Sequence, residues 1–358
     1  MNTEKWLYRF DELGSEYNDV VGKKCAQLGQ MTRLGFRVPP GFALSVEAYK
    51  KFMIETGALE EIKDFLDDFK ADPGQARDLP KYDRASKIIR NLLETKEMPG
   101  GMMEVIGRFY DELCEFSGVQ DVPVATRSAG PASHPGQYET FLHVRGKTDL
   151  MKNIIKVWSS AYNQRSIHAR HRLNLPLEWD PIGVAVLKMV NAKAAGVMFT
   201  LNPANGDASK IMSEGNWSLG ESVVSGSVTP DEWTVDKVVL EITKKTVSNK
   251  TTECIFEPVS GKVKMVKIVD ERRDIPCLTD EEAIEVAKTG KLLEQKYETA
   301  QDVEWVLDKD IPFPENVFLV QTRPETIWSK KKEESKLENA GSSVGDLGRF
   351  FSKVKPTR

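Results

Sequence analysis

The chain has 358 residues and a net charge of −4, with 40% apolar and 29% charged residues; that suits one large domain or two lobes around a cleft, with ample core, and the mild acidity argues against a dedicated nucleic-acid binder, which carries a basic footprint. No apolar run approaches the length of a membrane span, and Met1 to Asp19 has no apolar signal core. Cys25, Cys114, Cys254 and Cys277 show neither CxxC spacing nor nearby histidines, so the expectation is a cytoplasmic protein with reduced structural thiols.

In chain order, residues 20–35 read as a helix entered through a Gly-Lys turn, capped by Asn18 or Asp19 and ended by Gly35. Residues 36–44 read as strand and turn, and Ser45 caps a helix running to about Glu55. Residues 59–118 read as helical pieces broken at Asp72-Pro73-Gly74 and Pro99-Gly100-Gly101. Short strands follow at 122–127 and 137–144, then a helix over 149–173. From about residue 181 strands dominate, at 182–190, 195–201, 231–247 and a hairpin over 253–269 turning at Ser260-Gly261. Thr279 with Glu282 three residues on has the pattern of a capping box, opening a helix to about Glu298. Two strands, 302–307 and 317–323, close the folded part. The expected organisation is an N-terminal lobe over 1–180, a strand-rich lobe over 181–328 and a charged tail over 329–358. That tail reads as flexible, or as a docking arm through Leu347, Phe350 and Phe351.

The last two strands carry the clearest chemical pattern. Asp302 and Glu304 are two apart and share a face, with Val303 and Trp305 on the other; Gln321 and Arg323 share a face on the next strand. Paired, the strands present a carboxylate and an amide oxygen, which suit Mg2+, beside a guanidinium, which suits phosphate. The same pattern fits a solvated sheet face with a cross-strand salt bridge. Lys23 or Lys24, at a turn into a helix, is a phosphate candidate that spacing alone does not choose between. The segment from Arg127 to Thr140 is rich in small residues, with Gly130 and Gly136 permitting close backbone approach, hydroxyls at Ser128, Ser133 and Thr140, and Arg127 as a bidentate phosphate grip. It is not a Walker loop. Lys188 and Met189 lie on a strand suited to be a hinge against a flat base, or simply a half-buried strand. Glu221, at a Gly-Glu turn, is a candidate for holding metal or ribose, or merely begins a helix. The four histidines read as structural.

Seven segments stand together in order: Gly22-Lys-Lys-Cys-Ala-Gln-Leu-Gly; Phe36-Arg-Val-Pro-Pro-Gly-Phe; Arg127-Ser through Pro-Gly-Gln-Tyr-Glu-Thr-Phe-Leu; Gly196-Val-Met-Phe-Thr; Leu219-Gly-Glu with Val228-Thr-Pro-Asp; Gln301-Asp-Val-Glu-Trp; and Gln321-Thr-Arg-Pro-Glu. This combination, over residues 18–328, resembles the nucleotide-binding domain of the phosphoenolpyruvate synthase and pyruvate phosphate dikinase family. The resemblance implies an α+β ATP-grasp fold with two lobes around a nucleotide cleft, and ATP and Mg2+ as ligands. It assigns Lys24 (rather than Lys23) and Arg127 to the ATP phosphates, Glu304 and Gln321 to Mg2+, Arg323 to the charge that develops in phosphoryl transfer, and Asp302 to support of that face. Three positions depart from the family pattern: Lys23 and Ser218 replace glycines, and Leu187 stands where glutamine is common beside the base.

The family's phosphoryl-accepting histidine domain and its pyruvate-binding barrel have no counterpart in these residues. The resemblance therefore implies a phosphohistidine-domain partner subunit, with ATP cleaved to AMP and phosphate. As a stand-alone chain the sequence most resembles the ATP-binding subunit of phenylphosphate synthase, which phosphorylates phenol. The alternatives are a truncated ATP-binding domain of a phosphoenolpyruvate synthase or antibiotic phosphotransferase, and a non-catalytic nucleotide sensor.

Overall fold

The structure is a computed structural model that describes residues 5–130, 138–257, 262–326 and 328. The charged tail, Ser133, His134, Gly136 and the hairpin turn at Ser260-Gly261 lie outside the described residues.

The first part of the chain builds an antiparallel sheet from β1 (Leu7–Arg9), β2 (Gly41–Leu44), β3 (Val124–Ala129), β4 (Thr140–Val144) and β5 (Gly183–Lys188), in the order β1-β2-β5-β3-β4. The segment expected as one helix over 20–35 is two, α1 (Asn18–Val21) and α2 (Lys23–Arg33), because Gly22 breaks the helical path at φ +81°. A Cβ at that position would sit 2.0 Å from the Ala129 carbonyl oxygen, so only glycine lets α2 start this close to β3. Ser45 caps α3 (Val46–Glu55) through its hydroxyl, which accepts from the Ala48 amide. Helices α4 (Ala58–Asp67), α5 (Leu79–Glu94), α6 (Gly100–Ser117), α7 (Gly146–Ser159) and α8 (Gln164–Arg172) follow. The helix expected over 149–173 is broken between α7 and α8, where Asn163 caps α8 by accepting from the Ser166 amide.

These helices cover one face of the first sheet. Trp158 is fully buried there, with Tyr49 and Phe52 at ring separations of 6.0 and 5.0 Å. Val124, Val184 and Val186 of the sheet join this core. On the opposite face, Ala129, Ala185 and Leu187 pack in a second core with Cys25, Leu28 and Met31 of α2. That core continues into the second sheet, so α2 is the element on which the two sheets meet.

The second sheet comprises β6 (Ala192–Phe199), β7 (Lys210–Trp217), β8 (Asp231–Asp236) and β9 (Ile242–Thr246); after α9 (Glu221–Val224) and a separate hairpin of β10 (Thr252–Glu257) and β11 (Lys262–Lys267), it is completed by β12 (Gln301–Asp308) and β13 (Val317–Pro324). Its order is β13-β12-β6-β7-β8-β9. The single strand expected over 231–247 is β8 and β9, separated by a turn that Leu240 makes at φ +57°. Strand β7 was not expected, since Lys210 to Trp217 lacks the alternating apolar pattern. Its Gly215 pairs with Gly196 of β6, and the Trp305 ring occupies the space a Cβ would need at either glycine. Between β11 and β12 the chain forms α10 (Asp270–Arg273) and α11 (Asp280–Tyr297). The capping box of α11 is present: the Thr279 hydroxyl accepts from the Glu282 amide and the Glu282 carboxylate from the Thr279 amide. Glu282 also accepts from Lys193 Nζ on β6 at 2.6 and 2.7 Å, so the cap ties α11 to the sheet.

Strand β5, beyond the boundary expected at 180/181, pairs with β2 and β3 of the first sheet. The sheet-to-sheet division therefore falls after Lys188, at residues 189–191. The uniformly buried run of β5 suits a central strand of either sheet, so only its long-range pairing decides where it belongs.

Among the described residues no helix is long and apolar enough to cross a membrane. Gly22→Ala is expected to destabilise the protein by roughly 2 kcal/mol or more, since a left-handed φ and a backbone clash coincide there. A denaturant titration with wild type alongside checks this.

Candidate functional site

Strands β12 and β13 pair antiparallel, with Asp302 opposite Arg323 and Glu304 opposite Gln321. The alternation of β12 buries Val303 and Trp305 in the core and leaves Asp302 and Glu304 on the open face. Arg127, from β3 of the first sheet, reaches across to this face. Its Nη2 donates to Glu304 Oε2 at 3.2 Å and to Gln321 Oε1 at 3.0 Å, and its Nη1 donates to the Val320 carbonyl at 3.1 Å. Gln321 Nε2 donates to Glu304 Oε1 at 2.9 Å, closing the cluster. Beside it, Arg323 Nε donates to Asp302 Oδ2 at 2.6 Å.

Lys24 enters from the first turn of α2. Burial pushes its ammonium below the ordinary lysine value; the Arg127 cation adds to the depression and Glu304 opposes it. Lys24, Arg127, Glu304 and Arg323 are thus within electrostatic reach of one another. The adjacent Lys23 is exposed, and its backbone amide donates to the Gly130 carbonyl at 3.1 Å, which ties the start of α2 to the small-residue segment.

The cluster stands at one end of a cleft of about 470 Å³ between the sheets. Leu187, Lys188, Met189 and Val190 form the connecting wall, Ala125 and Val306 add apolar surface, and Arg127, Thr140, Glu221 and Glu304 supply polar groups. A cavity of this size, mostly apolar with few convergent polar groups, is the usual form of a small-molecule site. The wall is braced: the Lys188 amide donates to the Pro40 carbonyl and the Met189 amide to the Pro123 carbonyl, both at 2.8 Å. Glu221 begins α9 and faces the cleft.

Among the described sequence candidates, Ser128 lies away from this cluster. Strand alternation puts it on the opposite face of β3 from Arg127, where it is 2% exposed beneath the helices. It therefore does not line the cleft. Tyr138 and Leu142, which belong to the third of the seven segments but had no site role assigned, do line it, as does Val320. Tyr138 and its neighbour anchor the end of the small-residue segment: Tyr138 OH donates to Asp180 Oδ2 at 3.1 Å, and Arg90 holds Glu139 with two hydrogen bonds of 2.7 and 2.9 Å.

The oxygen set fits Mg2+ better than a softer metal. Glu304 and Gln321 offer carboxylate and amide oxygens, the hard donors that Mg2+ takes in small number alongside phosphate and water. Among the described residues no group of three or more His, Cys, Asp or Glu side chains could hold a metal ion by itself. The described histidines have structural partners: His168 contacts the Pro73 carbonyl at 3.0 Å, His171 the Tyr82 hydroxyl at 2.7 Å, and His143 stacks on Phe256. The four thiols are free, with Cys25, Cys254 and Cys277 buried.

Burial raises the Asp302 carboxyl above its ordinary value of 3.8, against the hydrogen bond and charge of Arg323. A carboxyl whose pKa is raised by folding costs stability when ionised, at every pH above its folded value, and the cost vanishes as pH falls below 3.8. Asp302→Asn should therefore hold or raise the thermal midpoint at pH 7, with its advantage over wild type shrinking below pH 4. Calorimetry across that range checks the sign.

Residues 18–343 match the family described as the pyruvate phosphate dikinase AMP/ATP-binding domain. The chain is 36% identical to a probable phosphoenolpyruvate synthase of Staphylothermus marinus, over 96% of this chain and 44% of that protein. It is 34% identical to the phosphoenolpyruvate synthase of Aeropyrum pernix, over 92% of this chain and 43% of that protein. With the phosphoenolpyruvate synthase of Pyrococcus furiosus it shares 36% identity, over 94% of this chain and 45% of that protein. The chain thus spans less than half the length of these relatives. With a cleft between two antiparallel sheets and helices, matched over most of its length, the chain belongs to the pyruvate phosphate dikinase AMP/ATP-binding domain family and has its ATP-grasp-type fold.

Proposed function

We propose that this chain binds ATP in the cleft between its sheets and performs the ATP-cleaving half of a dikinase reaction, with a histidine on a partner domain or subunit as acceptor. The observation that carries this reading is Arg127, a first-sheet cation hydrogen-bonded to Glu304 and Gln321 of the second sheet at one end of a largely apolar cleft. The base lies against the wall of Leu187 to Val190, and Glu221 serves the ribose. The triphosphate meets Lys24, Arg127 and Arg323.

The cluster is suited to exchange partners. A phosphate arriving beside Arg127 competes with Glu304 and Gln321 for the guanidinium, and so releases their oxygens for a cation. Glu304 and Gln321 would hold Mg2+, which supplies charge neutralisation on the phosphates. Thr140, opposite Arg127 in the register of β3 and β4, adds a hydroxyl at the same end. Phosphoryl transfer demands positioning and charge stabilisation more than covalent chemistry from the protein, and these residues supply both. Asp302 orients Arg323 through their 2.6 Å contact. In the proposed step the histidine nitrogen bonds to the β-phosphorus, the bond to the α-phosphate oxygen breaks and AMP leaves. Hydrolysis of the γ-phosphoryl then yields phosphate and a phosphohistidine.

For the final acceptor two chemistries stand. The names of the relatives favour phosphoenolpyruvate formation, hence a 2-oxo acid acceptor; phenol, as in phenylphosphate synthase, suits an arrangement of separate subunits. No residue of the cleft is assigned to either.

The test is product identity. With ATP, Mg2+ and a histidine-bearing partner, AMP should form, and Arg323→Ala should slow it about a hundredfold or more. ADP as the only nucleotide product would overturn the dikinase reading. Pyruvate and phenol, supplied in parallel, separate the two acceptor chemistries.

A further inference from the structure

Next to the nucleotide cleft, along the connecting wall, lies a second cavity of about 490 Å³, as large as the cleft itself. The two share only Lys188, Met189, Val190 and Leu219, so the connecting wall contributes to both. Most of the second cavity's own lining comes from the segment before β3, the end of β4, the β10 strand and the turn after β12. None of Arg127, Glu221 and Glu304 belongs to it.

The lining carries three cations, Arg145, Lys188 and Lys309, against two carboxylates, Asp308 and Asp310, an excess of one positive charge. Among the described residues none of the three cations has a carboxylate within ion-pair distance. The two acidic residues are engaged locally: Asp308 Oδ1 accepts from the Asp310 amide, and Asp310 Oδ2 accepts from Asn191 Nδ2, both at 2.8 Å. Arg145 lies 3.2 to 3.3 Å from His143 Nε2, which must offer a lone pair to accept from it, so the imidazole is neutral there. Burial, then the Arg145 charge, lowers His143 to about 4, in agreement. His143 stacks on Phe256 at a ring separation of 3.3 Å, and with Ile255, Ile311 and Pro123 this makes part of the wall apolar.

We infer that this cavity is a second ligand site, for a small organic phosphate no larger than a nucleoside monophosphate. The three cations take the phosphate and the apolar wall takes the organic body; an inorganic ion would leave that wall against water. Asn191 ties the wall to the turn after β12, through the bond to Asp310 and through its carbonyl, which accepts from the Lys309 amide at 3.0 Å. Occupancy of the second site is thereby linked to the geometry of the wall that the nucleotide uses, and the linkage runs equally in both directions.

The experiment is calorimetric titration of the full chain with AMP, and separately with inorganic phosphate, while a non-hydrolysable ATP analogue saturates the cleft. A second binding event for AMP is expected, weakened at least tenfold in Arg145→Glu and in Lys309→Glu. Circular dichroism confirms that each variant is folded. No second event at millimolar AMP, or one that both charge reversals leave unchanged, overturns the site. Phosphate binding as tightly as AMP overturns the role given to the apolar wall. Failure of the analogue to bind at all would count against the nucleotide cleft instead; AMP titrated alone, against the same variants, then decides the second site.

Discussion

Everything at the site depends on one guanidinium crossing from one sheet to the other. Arg127 is held on β3 by the first sheet, yet its three hydrogen-bond acceptors belong to β12 and β13 of the second. Because both the ion pair with Glu304 and the bond to the Val320 carbonyl are sheltered, they act in a low dielectric, where charge-assisted hydrogen bonds are worth most. The same contact leaves every member dependent on the rest: a phosphate that draws Arg127 away changes the surroundings of the carboxylate and the amide together.

The scaffold keeps that crossing short. Helix α2 fills the angle between the sheets, and its start is pressed against the end of β3 through Gly22 and the bond from the Lys23 amide to the Gly130 carbonyl. Lys24 therefore reaches the cluster from a helix whose position is set by packing, not by a loop. On the far side, Trp305 lies over the glycines of β6 and β7, so the strand bearing Glu304 sits close to its neighbours. Arg90 and Asp180 fasten Glu139 and Tyr138 where the chain re-enters β4. Rigid elements thus carry the charged groups on both sides of the cleft, which is what electrostatic stabilisation of a transferred phosphoryl group requires.

The connecting wall shows how little backbone separates distinct environments. Residues 187–190 carry side chains into the core of the two sheets, the nucleotide cleft and the second cavity within a single stretch. Leu187, where the family commonly has glutamine, is 3% exposed and belongs to the α2 core as well as to the cleft. The departure therefore makes this part of the wall apolar.

What the sequence determined by itself were the local periodicities and the chemistry tied to them. The two-residue spacing of Asp302 with Glu304 and of Gln321 with Arg323 dictates one face for each pair, and the capping box at Thr279 follows from backbone groups three residues apart. The helical pieces between 58 and 117 are likewise separated where the proline and glycine breaks fall, between α4 and α5 and at the start of α6. Tertiary structure decided what depends on partners distant in sequence. It assigned β5 to the first sheet, made a strand of residues 210–217 through pairing with β6 and β8, and turned Ser128 away from the cleft that Arg127 enters. Periodicity says which residues share a face, but only the packing of remote strands says what that face looks upon, and a site made where two sheets meet is of the second kind.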